Sequence, residues 1–259
     1  MLDERTITQA IVKTYMEELL NYIDTDVVIA GSGPSGMVAA YYMARSGLKV
    51  AIFERKLSIG GGMWGGGMMF NTIVVQKEGK EILEEFQVPH REFSDGYYVA
   101  DAVLATTTLA SKAILAGAKI FNGIFVEDVV LKEGRVSGAV INWSAVDVAG
   151  LHVDPLTVYS KYMIDATGHD AEVVKVLQEK SKVRLKTPSG RMEGERSMWA
   201  EKGESFVAAN TREVFPGLLV SGMAANATFG GARMGPIFGG MLLSGKKAAE
   251  IIISELRGK

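Results

Sequence analysis

Cysteine is absent from all 259 residues of the chain. That absence alone excludes disulfides, zinc ribbons, thiolate-held iron–sulfur clusters and every cysteine nucleophile. An excess of charge is missing too. The 28 Lys and Arg stand against 30 Asp and Glu, for a net charge of −2, so the basic field of an electrostatic nucleic-acid binder is not there. The N-terminus, MLDERTITQAIVKTYMEELL, carries acids early and has no apolar core of the signal-peptide kind. The one long uncharged stretch, Val214 to Ala232, is broken by Pro216, Asn226 and four glycines, whereas a membrane helix needs about 20 predominantly apolar residues. No fixed-period repeat or low-complexity linker divides the chain. What remains, 47% hydrophobic and 22% charged residues, describes a soluble, cytoplasmic globular protein. We read it as one domain over residues 1–259, large enough to bury a core without covalent staples.

The hydrophobic period changes along the chain. Ile7, Ile11, Val12, Tyr15, Met16, Leu19, Leu20 and Ile23 recur at helical spacing, predicting an amphipathic helix over 4–22. Its apolar face is expected to pack on the domain's own surface; a subunit contact is the other reading. DVVIAG (26–31) reads as a strand, GSGPSG as a turn, Met37–Gly47 as a helix and Leu48–Glu54 as a second strand. A β–turn–α–β unit of that length requires parallel strands joined by a right-handed crossover. Further on, the pattern predicts a helix at 101–116, a strand at Lys119–Ile124 and a hairpin at Val126–Trp143 turning at Glu133-Gly134. A strand over Leu156–Ala166, a helix at 170–180, a strand at Gly217–Gly222 and a helix from Pro236 to Arg257 complete the reading. The fold class is α/β: a Rossmann-like dinucleotide-binding fold with a mostly parallel central sheet and an inserted antiparallel section.

Three glycine-rich blocks carry the chemistry. In Gly31-Ser32-Gly33-Pro34-Ser35-Gly36, a strand precedes, a helix follows, and Glu54 stands 18 residues past the last glycine at the end of the next strand. That context makes the turn a pyrophosphate site at a helix N-terminus, with Glu54 as acceptor for ribose hydroxyls, favouring NAD or FAD over NADP. Gly60 to Gly67 holds six glycines interleaved with Met63 and Trp64, followed by Met68 and Met69. Because Met and Trp favour burial, the block reads as a backbone-lined wall beside the ribose rather than a linker. The third block, from Gly217 through Met223 and Arg233 to Pro236, reads as a strand, a loop and a helix start that make an anion pocket. Arg233 is the lone charge between Glu213 and Lys246; it reads either as a solvated surface residue or as a bidentate clamp on a carboxylate. Flavoproteins with a similar block place an Asp soon after the strand, and this chain has none there.

Of the three histidines, His90, His152 and His169, none lies in a standard metal signature, and each alone has an ordinary structural reading. Asp154 and His169 flank the Leu156–Ala166 strand, which when extended spans roughly 30 Å or more. They meet only if the segment bends, or across a subunit interface. One carboxylate and one imidazole leave open coordination positions, suited to Fe(II) or Zn(II).

Taken together, GSGPSG with FER, GGGMWGGG, FNGIFVEDVV, NWSAV, HVDP, ATGHDAE and ARMGPIFGGMLLSGKKAAE resemble the thiamine thiazole synthase family, most closely its archaeal members, from the opening helix to Ala249. The resemblance implies that NAD is consumed as a substrate. Nicotinamide leaves, the ADP-ribose opens to a ketone, glycine condenses as an imine, sulfur adds, and cyclisation gives an ADP-linked thiazole carboxylate. It also implies ring-like homo-octamers with active sites shared between subunits, and iron(II). By the same resemblance, Ser32, Glu54, Arg55, Gly62, Val126 and Met223 match NAD-contacting positions. Asp154 and His169 match the iron ligands, and Arg233 matches the holder of the glycine carboxylate. The informative departure is His152. In fungal and plant members a Cys at this position gives up its sulfur and the protein acts once; with His152 here and no Cys elsewhere, sulfur comes from outside as sulfide and the enzyme turns over repeatedly. His152 then stands as a candidate acid/base. Competing readings are an FAD- or NAD-dependent oxidoreductase, resting on the dinucleotide turn alone, a sugar-bisphosphate isomerase, disfavoured by the scarcity of Lys and Arg near the glycine loops, and a non-catalytic NAD-binding ring.

Overall fold

The change of period near residue 22 is where the chain passes from helix to sheet. The computed structural model describes residues 1–258. Helix α1 (Glu4–Asn21) leads into β1 (Asp24–Ala30), α2 (Pro34–Arg45) and β2 (Val50–Glu54). After a 3₁₀ turn at Gly61–Gly65 come β3 (Thr72–Val75), α3 (Lys77–Glu85), β4 (His90–Ser94), β5 (Tyr97–Asp101) and α4 (Ala102–Leu115). Then follow β6 (Lys119–Asn122), β7 (Ile124–Lys132), β8 (Arg135–Trp143), α5 (Ser144–Val148), β9 (Leu156–Asp165) and α6 (Glu172–Ser181). The chain closes with α7 (Ala200–Asn210), β10 (Arg212–Phe215), β11 (Leu218–Val220), α8 (Met223–Phe229) and α9 (Gly239–Arg257).

The central sheet runs β10-β11-β9-β1-β2-β6, parallel from β11 to β6, with β10 antiparallel at the edge. The α/β fold with a mostly parallel sheet is therefore as expected. Side chains of β1 alternate between two cores. Val27 and Ile29 pack with Ala39, Met43, Ala248 and Ile252 of α2 and α9, whereas Val28 and Ala30 face the hairpin β7–β8, α6 and α8. Gly245 lets α9 lie on α2, since a Cβ there would sit 2.3 Å from the Ser35 carbonyl oxygen. The inserted antiparallel section is β7–β8, turning at Glu133-Gly134 as predicted. Strand β9 is long because it has two neighbours in succession: its first half pairs with β8 and its second half with β11, while β1 runs along the opposite side. It is therefore held extended from end to end.

Four expectations need correction. The apolar face of α1 does not pack on the domain's own surface: no residue of the helix is buried, and Ile11 and Leu20 are 65% and 63% exposed. Only Tyr15, Leu19 and Tyr22 reach the core, because the helix is tethered through Tyr15 and Tyr22 against Phe121. The C-terminal helix begins at Gly239 rather than Pro236. Ile237 bridges to Val74 and the Phe238 N–H donates to the Val74 carbonyl at 2.8 Å, so this stretch is held extended alongside β3. Residues 223–229, read as loop, form α8, starting after Gly222 at φ +65°. In the glycine-rich block, Met63 is buried, but Met68 and Met69 are exposed at left-handed φ of 47° and 66°. Beyond these, residues 72–101 build an unpredicted three-stranded sheet, β3-β5-β4, which with α3 covers one end of α2 and α4.

Candidate functional site

The parallel strands end together at Ala30, Glu54, Asp165 and Val220. From β1 the chain proceeds to β2 on one side, while β9 returns on the other. The crevice outside such a reversal is where open α/β sheets bind ligands. Here it is a cleft of about 720 Å³. Its walls contain ten of the residues singled out by sequence: Gly31, Gly33, Ser35, Glu54, Arg55, Gly62, Val126, His169, Met223 and Arg233.

Each is placed by a local cause. Gly31 turns the chain off β1 at φ +98°, with Ala166 so close that a Cβ would lie 2.6 Å from its carbonyl oxygen. Gly33 is the N-cap of α2 without a side-chain cap, Pro34 fills the first turn, and Met37 is the first N–H to bond within the helix. The Ser35 amide at the positive end of the helix, which lines the cleft, is thus left for an anion. A Cβ at Gly33 or Gly62 would meet nothing within 4 Å. These two glycines leave room for a ligand, and the cradle fits a dinucleotide pyrophosphate. Ser32 and Gly36 do not line the cleft. Ser32 is buried and donates to Glu54 Oε2 through its N–H (2.8 Å) and Oγ (2.6 Å), while its carbonyl accepts from the Gly60 N–H (2.9 Å), fastening the glycine-rich block to the turn. Gly36 packs against the turn, where a Cβ would fall 2.3 Å from the Gly31 oxygen. Glu54 receives the Lys56 N–H at its other oxygen (2.8 Å) and lines the cleft at the end of β2. Arg55 pairs with Glu172 at 3.1 Å and lies over the Phe125 ring. Burial holds the Glu172 carboxyl above its ordinary range, and the Arg55 charge opposes that shift.

The far wall carries Arg233, exposed and without an ion pair among the described residues. Its backbone is laddered to residues 196–199: Arg233 N–H to the Arg196 carbonyl and Trp199 N–H to the Arg233 carbonyl, both 3.0 Å. His169 sits at the rim on the turn between β9 and α6, with Nδ1 against both Glu195 carboxylate oxygens. His152 and Asp154 are not in the cleft. Both are exposed in the segment entering β9, which Asn142 anchors through the Val153 carbonyl (3.0 Å). With β9 extended over its ten residues, the two flanks stand roughly 30 Å apart along the strand. The bend that would bring Asp154 and His169 together in one chain does not occur. No group of three or more His, Asp or Glu side chains fit to hold a metal exists among the described residues.

Three features escaped sequence reasoning. Asp165, fully buried at the end of β9, accepts from the Thr167 N–H and Oγ1 and from the Val173 and Val174 N–H groups at the start of α6, so it holds the turn that carries His169. Burial pushes its carboxyl up, and those four hydrogen bonds pull it back down. An acid closing an apolar strand was the available signal. Ser35, Ser221, Ser244 and Thr211 form a buried hydroxyl chain with links of 2.5, 3.0 and 2.5 Å, tying α2, β11 and α9 behind Met223. Glu195 lies in an irregular stretch that carried no signal.

Residues 8–238 match the Thi4 family. The chain is 60% identical over 256 residues to a thiamine thiazole synthase of Methanothermobacter thermautotrophicus, covering 99% of each. The crystal structure of Thermovibrio ammonificans THI4 superposes with a TM-score of 0.98 at 58% identity, over 99% of this chain and all of that one. A geranylgeranyl bacteriochlorophyll reductase-like protein of Thermoplasma acidophilum shares the fold alone, at TM-score 0.54 and 16% identity, over 91% of this chain and 79% of that one. Among the described residues, no helix is long and apolar enough to cross a membrane. With matches along nearly its whole length, the chain belongs to the Thi4 family of thiamine thiazole synthases.

Proposed function

We propose that this protein is an enzyme of thiamine thiazole synthesis that builds the ADP-linked thiazole carboxylate from NAD, glycine and external sulfide, turning over repeatedly. The observation that carries this reading is that one cleft holds both the glycine turn at the N-terminus of α2 and an unpaired arginine on the wall beyond it. The pyrophosphate lies at the N-terminus of α2 against Gly33 and the Ser35 amide, and Glu54 takes the adenosine ribose hydroxyls. The sugar that loses nicotinamide then points toward Arg233, which holds the glycine carboxylate beside the ketone it condenses with. Sulfur comes from solution, because no Cys is present to supply it. Iron(II), held by His169, would supply a Lewis-acid position for a soft anion such as sulfide. Asp154 lies at the far end of β9 from His169 in one chain, so the carboxylate would come from Asp154 of a second copy, and His152 beside it would serve as an acid/base. The exposed apolar face of α1 supports association with further copies, for which the ring-like octamer is the proposed form, because covering each large aliphatic side chain is worth about 1.5–3 kcal/mol.

The test is anaerobic incubation with NAD, glycine, sulfide and Fe(II), followed by mass spectrometry for the ADP-thiazole. More than one product per subunit is expected; one or fewer across varied metal and sulfide defeats the multi-turnover reading. His169→Ala or Asp154→Ala is expected to lose iron, and Ile11→Asp with Leu20→Asp to break the oligomer in light scattering.

A further inference from the structure

His169 is half exposed at the cleft rim, yet its ring is not free to choose an orientation. Glu195, whose side chain is only 20% exposed against 49% for the histidine, brings both carboxylate oxygens to Nδ1, at 3.0 and 2.9 Å. Glu195 makes no other side-chain hydrogen bond or ion pair among the described residues, and Nε2 of His169 makes none. The acid is also held on a fixed support. Glu193 N–H donates to the Thr228 carbonyl (3.0 Å), Arg196 N–H to Gly231 (2.9 Å), and Arg196 in turn accepts from the Arg233 N–H (3.0 Å). The same short ladder therefore sets Glu195 against His169 and Arg233 against the cleft.

We infer that Glu195 is a positioning residue for His169. An ionised carboxylate only accepts, so Nδ1 carries the proton, and the neutral ring is left with its lone pair on Nε2, the nitrogen without a partner among the described residues. A histidine that binds a metal or takes a proton needs that tautomer and that orientation, and a carboxylate on the opposite nitrogen supplies both. This rests on the reading that His169 works in the cleft, and it assigns a second residue to that task.

The experiment is solid-state 15N NMR of metal-free protein labelled at histidine, where three rings give three assignable pairs of nitrogens. In the parent, at a pH where the ring is neutral, His169 is expected as the Nδ1–H form; the Nε2–H form there overturns the inference without any variant. Glu195→Ala is expected to shift His169 toward Nε2–H, with Glu195→Leu, which fills the space and offers no acceptor, should the alanine protein not fold; an unchanged tautomer in the folded variant overturns it. Titration with Fe(II) under anaerobic conditions is the second readout, with affinity expected to fall about 10- to 100-fold; equal affinity again overturns it. If the parent binds no Fe(II), the metal reading of the cleft fails, and the tautomer still decides the role of Glu195.

Discussion

Gly31 and Gly33 sit two residues apart in the same turn, and the structure gives them opposite consequences on substitution. Gly33 has φ −65° and ψ 174°, a conformation any residue adopts, and its added Cβ would meet nothing within 4 Å. Gly33→Ala should therefore fold normally and gain about 0.4–1 kcal/mol, because the unfolded chain loses freedom. Its cost falls on the ligand. A methyl group standing where the pyrophosphate approaches is an overpacking problem of about 1–3 kcal/mol, which weakens NAD binding roughly 5- to 150-fold. Gly31 has φ +98°, and its Cβ would lie 2.6 Å from a backbone oxygen of Ala166, which cannot swing away. Left-handed backbone costs about 1–2 kcal/mol and the clash about 1–3 more. Gly31→Ala should then lower Tm by roughly 4–20 °C, at 2–4 °C per kcal/mol for a chain of this size. Differential scanning fluorimetry and calorimetric titration with NAD separate the two effects. Parent-like NAD affinity in Gly33→Ala would refute the cradle, and an unchanged Tm in Gly31→Ala would refute the account of the turn.

Other substitutions test other links. Arg233→Ala removes an exposed, unpaired cation, so stability should hold while the apparent affinity for glycine falls about 10- to 150-fold, the worth of a charged hydrogen bond of about 1.5–3 kcal/mol; retained affinity ends the carboxylate-clamp assignment. Asp165→Asn places an amide NH2 against donors, since every partner of that carboxylate is an N–H or a hydroxyl; a loss of about 2–4 kcal/mol is expected in urea unfolding, and a neutral result would show that the turn does not depend on these bonds. Burial raises Glu204 to about 7 from 4.5, against the Gly240 N–H and Gln76, with Glu78 nearby adding to the rise. The folded state thus holds this proton more tightly than the unfolded chain, so its contribution is full below pH 4.5 and is lost as pH rises through 7, by up to about 3 kcal/mol. Glu204→Gln should flatten that decline in denaturation curves taken between pH 4.5 and 7.5, and an equally steep decline in the variant would assign it to other groups.

Much of this fold was legible because its determinants are local. The βαβ unit declares itself by a change from helical to strand-like spacing around glycines, and each glycine at positive φ is a residue type the backbone demands. The misread segments are those where a distant neighbour decides. Residues 237–238 are extended rather than helical because Val74 accepts a hydrogen bond there, and nothing within reach of Pro236 along the chain announces it. The small sheet over 72–101 pairs short strands, one of which, His90–Ser94, has no buried residue and so leaves no period to read. The apolar stripe of α1 was seen correctly, but a stripe says only that a face seeks cover, not which molecule provides it.

The candidate site divides along the same line. Gly31, Gly33, Ser35 and Glu54, at strand ends and a helix start, were found by spacing, since the topology forces those ends together, whereas Arg55, Gly62, Val126 and Met223 came through the family resemblance. The His169–Glu195 pair was half found, because its acid lies in an irregular segment whose position is fixed by backbone bonds to residues 228–233. Asp154 and His169 are the instructive case. Sequence placed them at opposite ends of one strand; pairing with β8, β11 and β1 keeps that strand straight, so the structure removes the bend that would have joined them. If both act on one metal, they belong to different chains. A monomer of this protein that binds NAD should then bind no iron, and an equal mixture of Asp154→Ala with His169→Ala chains should regain about a quarter of the sites, since random pairing across an interface joins an intact Asp154 with an intact His169 one time in four. That rescue, read as iron bound per subunit, cannot arise if the ligands sit in cis.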